Sequence, residues 1–439
     1  MGYADKLVTA EQAVQLAVKD GDWVDYGFST GFPELLDRAL AARVGHVKDV
    51  KIRGGLFFMP QIEVIEKDPK QESFHYYSWH IGDYERKKQA EGLVSFMPTL
   101  LRLLPDLYRY HIRTDVAFVP VSVPDENGDC TLGTAPYCWK TIIENARTVV
   151  FEINEHYPRK IFGPDGSNKV NISQADYIVE GEHSPLPVRS YRAPSETDIK
   201  IAEHVLREIP DGACLSLGVG GVPFAVANML KEGDFHHLGC WTGTLSDPMM
   251  DLYKAGKLDN SKKVLDKGLF SWNLASGSQA LYEWLDEEPE LFHPDGLDYI
   301  HRIENMCQNP DFISINGGVQ LNLMGEENAE SSGTRQLSGI GGQLDFLEAA
   351  YRSPGGKGFI CMNSARKTKD GSLKSNIVAN FTPGSATSAP RTLVQYAATE
   401  YGAVKLSGLS LKERAKAMIS IAHPDFREEL EKYAEESFK

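Results

Sequence analysis

Short apolar runs alternate with segments of helical periodicity along most of the chain. The runs rich in β-branched and aromatic residues have the length and composition of buried strands; they cover residues 116–121, 148–153, 312–315 and 359–362. Near the C-terminus, residues 411–422 and 426–438 repeat apolar positions every three or four residues, which predicts amphipathic helices. Strands that alternate with helices favour mostly parallel sheets flanked by helices, so the predicted fold class is α/β.

One α/β unit occurs twice along the chain. In each copy a helix-like stretch, at residues 10–19 and at 198–208, leads through an Asp-Gly turn into a short apolar strand. A glycine-rich loop and a second helical segment follow in both copies. This repeated order predicts two similar domains. A proline- and serine-rich stretch between the copies is typical of a linker, so we divide the chain into residues 1–190 and 191–439, with Ser195 as the cap of the next helix.

Length and charge limit the classes of protein to which the chain can belong. At 439 residues it is long enough for more than one hydrophobic core. The formal net charge of −15 argues against a nucleic-acid partner, because phosphate binding favours a basic surface. The start of the sequence has no secretory signal pattern and no apolar run reaches the length of a membrane span, so we expect a cytoplasmic protein with no membrane partner.

The six cysteines are scattered along the chain, without a C-x-x-C pair. This spacing predicts reduced, structural thiols and no metal site.

The glycine loop of the second copy, Leu217–Pro223, allows two interpretations. Glycine lets the backbone approach a ligand closely, and exposed amides there can hold an anion or a developing oxyanion. Alternatively, the loop is a tight turn that requires positive φ angles. The pattern G-x-G-G-x-P matches neither the dinucleotide-binding fingerprint nor a P-loop.

A second glycine cluster, residues 338–346, precedes another helical segment, and the basic residues Lys357 and Arg366–Lys369 follow it. A glycine-rich helix start with nearby cations suits a diphosphate-bearing ligand. The alternative is a solvated basic turn around Asp370-Gly371.

Eight segments lie in order along essentially the whole chain, at residues 21–27, 51–55, 218–222, 312–316, 328–331, 338–346, 399–402 and 421–426. Together they resemble the acetyl-CoA hydrolase/transferase family, and most closely the butyryl-CoA:acetate CoA-transferases. The resemblance implies two similar CoA-transferase-type domains, acyl-CoA and short-chain carboxylates as substrates, no permanently bound cofactor, and a homo-oligomer. It also implies that the thioester, the oxyanion and CoA contact Gly218, Val219, Gly220, Gly221, Val222, Val319, Gly342 and Lys369, with Lys369 at a phosphate.

The same resemblance implies covalent catalysis. A glutamate attacks the acyl-CoA carbonyl to give an acyl-glutamyl anhydride and free CoA thiolate. The thiolate then returns to form a glutamyl-CoA thioester, which a second carboxylic acid accepts. One difficult exchange is thereby divided into easier steps without a metal ion.

The chain departs from the family where this glutamate is expected, shortly after the glycine loop. Residues 239–247 read Gly-Cys-Trp-Thr-Gly-Thr-Leu-Ser-Asp, so Trp241 stands at the histidine position and Gly243 at the position of the nucleophile. Glycine has no side chain that can form an anhydride, so we expect normal transfer to be impaired. Asp247 is a weak substitute candidate. The alternatives are a thioester hydrolase, in which water replaces the acid, and a non-catalytic CoA-binding scaffold or partner subunit.

Overall fold

The computed structural model describes residues 3–189 and 192–438. The chain forms two compact units. The first comprises residues 1–190 and 269–300, and the second comprises residues 191–268 and 301–439. Residues 269–300 thus lie with the first unit, and the division into domains 1–190 and 191–439 stays a prediction.

The described residues form sixteen α-helices: α1 (Tyr3–Lys6), α2 (Ala10–Ala17), α3 (Glu34–Ala41), α4 (Glu63–Lys67), α5 (Asp83–Ala90), α6 (Leu104–Tyr110), α7 (Trp139–Asn145), α8 (Glu196–Leu206), α9 (Gly221–Glu232), α10 (Asp247–Lys254), α11 (Gln279–Glu287), α12 (Leu297–Ile300), α13 (Ile303–Met306), α14 (Gln343–Arg352), α15 (Leu411–Ser420) and α16 (Pro424–Ser437). Short 3₁₀ turns cover Leu101–Leu103, Pro164–Gly166, Ile172–Gln174 and Pro289–Leu291.

The strands of the described residues are β1 (Trp23–Asp25), β2 (Val50–Gly54), β3 (Phe74–Ser78), β4 (Val94–Phe96), β5 (Thr114–Ser122), β6 (Asp129–Thr131), β7 (Ala146–Asn154), β8 (Lys169–Asn171), β9 (Tyr177–Glu180), β10 (Cys214–Leu217), β11 (Gly239–Leu245), β12 (Phe270–Ala275), β13 (Phe292–Pro294), β14 (Phe312–Gly317), β15 (Gln320–Asn322), β16 (Glu327–Asn328), β17 (Ser331–Ser332), β18 (Arg335–Gln336), β19 (Lys357–Cys361), β20 (Ala365–Lys367), β21 (Leu373–Ser375), β22 (Ile377–Val378), β23 (Tyr396–Thr399) and β24 (Gly402–Lys405).

The first unit is built on a seven-stranded sheet in the order β4-β3-β2-β1-β5-β7-β9. Every neighbouring pair in this sheet is parallel. The central strand β5 is buried at eight of its nine positions, as expected for a parallel strand that is covered on both faces. The predicted fold class, α/β with mostly parallel sheets flanked by helices, is therefore confirmed for this unit.

The second unit has the sheet order β11-β10-β14-β19-β23-β24. Neighbouring strands from β11 through β10, β14 and β19 to β23 run parallel to one another. The last strand, β24, runs antiparallel to β23. Strands β10, β14 and β19 are almost entirely buried, so their apolar side chains form the core of the unit. The mostly parallel α/β class is confirmed here as well.

The predicted internal repeat is present in the topology. In the first unit α2 leads into β1, α3 and β2, and β1 lies between β2 and β5. In the second unit α8 leads into β10, α9 and β11, and β10 lies between β11 and β14. The predicted helix cap is confirmed too, because the Ser195 side chain accepts a hydrogen bond from the backbone N–H of Asp198 at the start of α8.

No helix in the described part of the chain is both long and apolar enough to cross a membrane. The described residues contain no cluster of three or more His, Cys, Asp or Glu side chains that could hold a metal ion. All six cysteines are free thiols, and all but Cys307 are buried.

Candidate functional site

The candidate site lies at the carboxyl ends of the parallel strands in the second unit. Cys214 and Leu215 of β10 pair with Gly239 and Cys240 of β11, so the glycine loop after β10 and Gly243 near the end of β11 lie at the carboxyl ends of neighbouring strands. Neighbouring strands lie about 4.8 Å apart. Open α/β sheets bind ligands at this edge, where loops leave the strands.

The loop that follows β10 brings unpaired backbone amides to this edge. Gly218 packs closely on β14, since a Cβ atom there would lie 3.0 Å from the carbonyl oxygen of Ile315. Gly220 has a φ of 155°, a conformation that side chains disfavour. Within the described residues, the amides of Val219, Gly220, Gly221 and Val222 donate no hydrogen bond to protein atoms. Four free N–H groups at a helix start favour an anion or an oxyanion.

These amides face a cavity of about 350 Å³, which lies within the range of ligand pockets. Five residues that the resemblance assigns to CoA binding line this cavity: Val219, Gly220, Gly221, Val222 and Val319. Val219 is an apolar side chain that is 48% exposed at the lining, although most side chains of its kind are buried. The structure therefore brings together residues that are about 100 positions apart in the sequence.

The polar lining of the cavity combines one cation, Arg366, with the carboxylate of Asp198 and the side-chain amides of Asn363 and Asn376. The guanidinium of Arg366, on β20, donates a hydrogen bond to the side-chain oxygen of Asn376. The carboxylate of Asp198 lies behind Gly221 and accepts hydrogen bonds from the backbone N–H and hydroxyl of Ser195. Arg366 is the cation of this lining, and a guanidinium suits an anionic ligand.

Lys369 does not line the cavity. It is exposed in the turn between β20 and β21, three residues from Arg366. Its assignment to a CoA phosphate stays a prediction.

Gly243, where the resemblance implies the nucleophile, lies on β11 and is half-buried. A Cβ atom at this position would lie 3.2 Å from Cε2 of Phe346 and 3.5 Å from Nε2 of His301. The proposed substitute, Asp247, is the first residue of the following helix α10 and is not among these nearest neighbours. Its role as a substitute nucleophile stays a prediction.

His301 is held next to Gly243 by a carboxylate. Its Nδ1 lies 3.0 Å from Oδ2 of Asp345, and the side chains are 2% and 0% exposed. With the Asp345 carboxylate as acceptor, Nδ1–H is the donor of this hydrogen bond, and Nε2 is the ring nitrogen that faces Gly243. The ring also packs edge-on against Phe346 at a centroid distance of 5.1 Å.

Gly342 lies against the same imidazole, at the start of α14. A Cβ atom there would lie 2.2 Å from Cε1 of His301 and 3.1 Å from Cε2 of Phe346. Gly342 and Gly243 therefore both border His301. The predicted contact of Gly342 with CoA stays a prediction, but the close approach explains why this position requires glycine.

We expect Gly342→Ala to destabilise the second unit by about 1–3 kcal/mol, because the added methyl group forces the His301 ring or the start of α14 to shift. The measurement is the urea dependence of unfolding. Gly317→Ala is the matched control, since a Cβ atom at Gly317 would meet no atom within 4 Å. Equal unfolding midpoints for the two variants would contradict the close packing at Gly342.

Trp241, at the position where the resemblance implies a histidine, is a core residue in this structure. Its side chain is 0% exposed, and Nζ of Lys263 lies 5.1 Å from the ring centroid. Lys263 is also buried and donates to the carbonyl oxygen of Cys240 at 3.0 Å. Desolvation lowers the pKa of this lysine. Trp241 therefore contributes packing beneath the strand end rather than a side chain in the cavity lining.

A buried acid lies behind the cavity wall. Oε1 of Glu327 accepts a hydrogen bond from Gln343 at 2.7 Å and would lie 3.0 Å from a Cβ atom at Gly318, a lining residue. Its Oε2 is buried without a hydrogen-bond partner within the described residues. Burial raises the pKa of Glu327 to about 8, so the carboxyl is protonated near neutral pH.

Sequence reasoning missed the two side chains that lie closest to Gly243. These are the side chains of Phe346 and His301. Phe346 belongs to the second glycine cluster, as does Asp345, the partner of His301, whereas His301 stands outside every motif of the sequence. Its only sequence signal is a lone histidine after a short apolar segment, which gives no indication of a distant carboxylate partner.

Comparison with known proteins agrees with the geometry. Residues 1–189 match the acetyl-CoA hydrolase/transferase N-terminal domain, and residues 277–434 match the C-terminal domain. A butyryl-CoA:acetate CoA-transferase from Anaerostipes caccae is 39% identical over 99% of this chain and 97% of the relative. A 4-hydroxybutyrate coenzyme A transferase from Clostridium kluyveri is 34% identical over 98% of this chain and 97% of the relative.

Solved structures show the same similarity. The crystal structure of RipA from Yersinia pestis superposes with a TM-score of 0.88 at 31% identity, covering 99% of this chain and 98% of that one. A 4-hydroxybutyrate CoA-transferase from Porphyromonas gingivalis superposes with a TM-score of 0.80 at 28% identity, with 99% of each chain covered.

Proposed function

The chain belongs to the acetyl-CoA hydrolase/transferase family, and we propose that it binds a short-chain acyl-CoA thioester and acts on it without a glutamyl intermediate at residue 243. The substrate class follows from the names of the relatives, which act on butyryl-CoA with acetate or on 4-hydroxybutyrate. The carboxylate product or acceptor is of the same short-chain type.

The observation that carries the binding proposal is the row of four free amides beside a cavity that also contains Arg366. A thioester carbonyl develops negative charge when it is attacked, and CoA carries phosphates. Backbone N–H groups and a guanidinium are the donors that stabilise both kinds of charge. The amides are fixed by the strand-loop-helix geometry, so they need no rearrangement when a ligand arrives.

The absence of a covalent intermediate at residue 243 follows from the side chain itself. Gly243 offers no carboxylate, and the atoms nearest to its Cβ position belong to His301 and Phe346. Neither side chain can form the mixed anhydride that the family resemblance implies. The chemistry at this strand end therefore needs a nucleophile other than the side chain of residue 243.

Calorimetric titration with butyryl-CoA tests the binding proposal. We expect saturable binding, and we expect Arg366→Ala to weaken it about 10-fold or more, because a charge-assisted contact to phosphate contributes about 1.5–3 kcal/mol. Lys367→Ala is the matched control: it removes the same charge from the neighbouring position of β20, which does not line the cavity. Lys369→Ala tests the predicted phosphate contact in the same titration.

No measurable binding of butyryl-CoA by the wild-type chain would refute the proposal. An equal loss of affinity in the Arg366 and Lys367 variants would show that general electrostatic attraction, rather than this cavity, holds the ligand. An affinity loss for Arg366→Ala that shrinks at high salt, with little effect of Lys367→Ala, is the expected pattern.

A further inference from the structure

A buried imidazole, that of His301, faces the position at which the resemblance places the nucleophile. Its side chain is 2% exposed, and its Nδ1 is bound to the buried carboxylate of Asp345 at 3.0 Å. Within residues 3–189 and 192–438, however, Nε2 of His301 forms no hydrogen bond, and it lies 3.5 Å from the Cβ position of Gly243.

The arrangement has the parts of a general base and its orienting group. The carboxylate of Asp345 fixes the tautomer of the ring and would stabilise the imidazolium that forms when Nε2 takes a proton. Glycine at residue 243 contributes no side chain beside Nε2, although even a Cβ atom there would lie 3.2 Å from Phe346 and 3.5 Å from Nε2. Only a molecule as small as water therefore suits this position.

We propose that His301, oriented by Asp345, activates a water molecule beside Gly243 for attack on the carbonyl carbon of a bound acyl-CoA, so that the chain is an acyl-CoA hydrolase. This inference rests on the proposed binding of acyl-CoA at the neighbouring cavity. In it, His301 is the catalytic residue, Asp345 is a positioning residue, and the free amides of the glycine loop donate to the oxyanion.

The steps balance without an added reactant other than water. Nε2 of His301 removes a proton from water while the water oxygen forms a bond to the carbonyl carbon, and the carbonyl oxygen becomes an oxyanion. The tetrahedral intermediate collapses, the C–S bond breaks, and the CoA thiolate receives the proton from the imidazolium. The carboxylic acid product ionises, so one proton is released for each thioester cleaved.

Nearby alternatives to His301 are less suited to the step. Cys240, on the same strand as Gly243, is fully buried, and this burial raises the pKa of its thiol well above the ordinary value. A thiol that stays protonated is a poor nucleophile. Cys307 is the only cysteine that is not buried, but its Sγ is directed at the carbonyl oxygen of Glu304.

The experiment measures free thiol release from butyryl-CoA by the full chain, with the binding titration run in parallel. His301→Asn keeps a donor for Asp345 but removes the base, and we expect thiol release to fall about 100-fold or more with binding changed less than threefold. His237→Asn is the matched control: this exposed histidine in the same unit also pairs with a carboxylate, Asp259 at 2.7 Å, but lies outside the cavity lining. Asparagine also tolerates its φ of 57°.

Two further measurements separate a base from a packing residue. Reaction in H₂¹⁸O should place one labelled oxygen in each butyrate released. His301→Ala removes the ring, and added imidazole should restore part of the thiol release in this variant, whereas a purely structural histidine gives no such rescue.

Binding without thiol release by the wild type would overturn the hydrolase inference and leave the binding proposal standing. Absence of binding would instead refute the proposed function. Thiol release by His301→Asn at the wild-type rate, with normal folding by circular dichroism, would show that another group provides the base.

Discussion

Labelled acetate should not enter acetyl-CoA when this chain is incubated with butyryl-CoA, because residue 243 cannot carry the acyl group or CoA. Enzymes that lose a covalent nucleophile lose on the order of 10⁴-fold or more of their rate. We therefore expect exchange to stay below detection under conditions in which a family member with the glutamate gives a clear signal. Chromatography of the CoA esters after incubation measures it.

We expect the chain to gain acyl exchange when residue 243 is changed to glutamate and the neighbouring His301 ring is removed. A Cβ atom at residue 243 is 3.2 Å from Phe346 and 3.5 Å from Nε2 of His301, so Gly243→Glu alone places the new side chain against the imidazole. The ring would hold the carboxylate as an ion pair and reduce its nucleophilicity. The double variant Gly243→Glu/His301→Ala removes this partner, and we expect it to exchange label faster than Gly243→Glu.

The matched control is Gly243→Gln/His301→Ala, in which an amide of the same shape replaces the nucleophile. We expect no exchange from it. Borohydride reduces a glutamyl-CoA thioester to the side-chain alcohol with release of CoA, so mass-spectrometric detection of this alcohol at residue 243 would identify the intermediate in the glutamate variant. Label exchange by the wild-type chain would contradict our interpretation of Gly243 and would direct attention to Asp247.

The secondary structure could be predicted from the sequence because the buried strands have a strong local signal. Strand β5 is nearly continuous in apolar residues, and the predicted run 116–121 lies within its bounds at Thr114–Ser122. The two C-terminal amphipathic segments became α15 and α16. In these elements the local pattern and the tertiary environment agree, since one face or both faces of each element are buried.

The glycine loop of the site could also be predicted from the sequence, because the backbone amides that it presents are contiguous in the chain. The dyad of His301 and Asp345 was not, because its partners are 44 residues apart and meet only after α14 packs on the sheet. The sequence also did not indicate that residues 269–300 belong to the first unit, because this placement depends on contacts between distant parts of the chain. Leu274 and Leu297 are buried in the same apolar cluster as Phe151 of the first unit, a contact that no local pattern indicates.

The buried acid Glu327 should make the stability of the chain fall as the pH rises. Its pKa is about 8 in the native structure, against 4.5 for an unburied carboxyl, because burial disfavours the charged form. Below pH 4.5 both states hold the proton, so the full stability is present. Between pH 4.5 and 8 only the unfolded state releases it, and stability falls by about 1.4 kcal/mol per pH unit.

Glu327→Gln should remove this loss. Glutamine is neutral at every pH and can still accept the hydrogen bond from Gln343 through its side-chain oxygen. We expect the variant and the wild type to be similar near pH 4.5 and the variant to be more stable by about 3 kcal/mol at pH 7. Urea unfolding at a series of pH values gives the difference directly, because every other titrating group is common to both proteins.

Glu85→Gln is the matched control, since burial also raises the pKa of Glu85, to about 7, but its carboxyl oxygens accept four hydrogen bonds. The donors are the backbone N–H groups of Leu56 and Gly82 and the hydroxyls of Tyr76 and Ser78. An amide N–H₂ would face donors there, so we expect Glu85→Gln to destabilise the folded chain by about 1–3 kcal/mol near neutral pH.

The stability profiles of wild type and Glu327→Gln should diverge between pH 5 and 8. Profiles that stay parallel over this range would show that Glu327 is ionised in the native structure and that its buried oxygen has a partner.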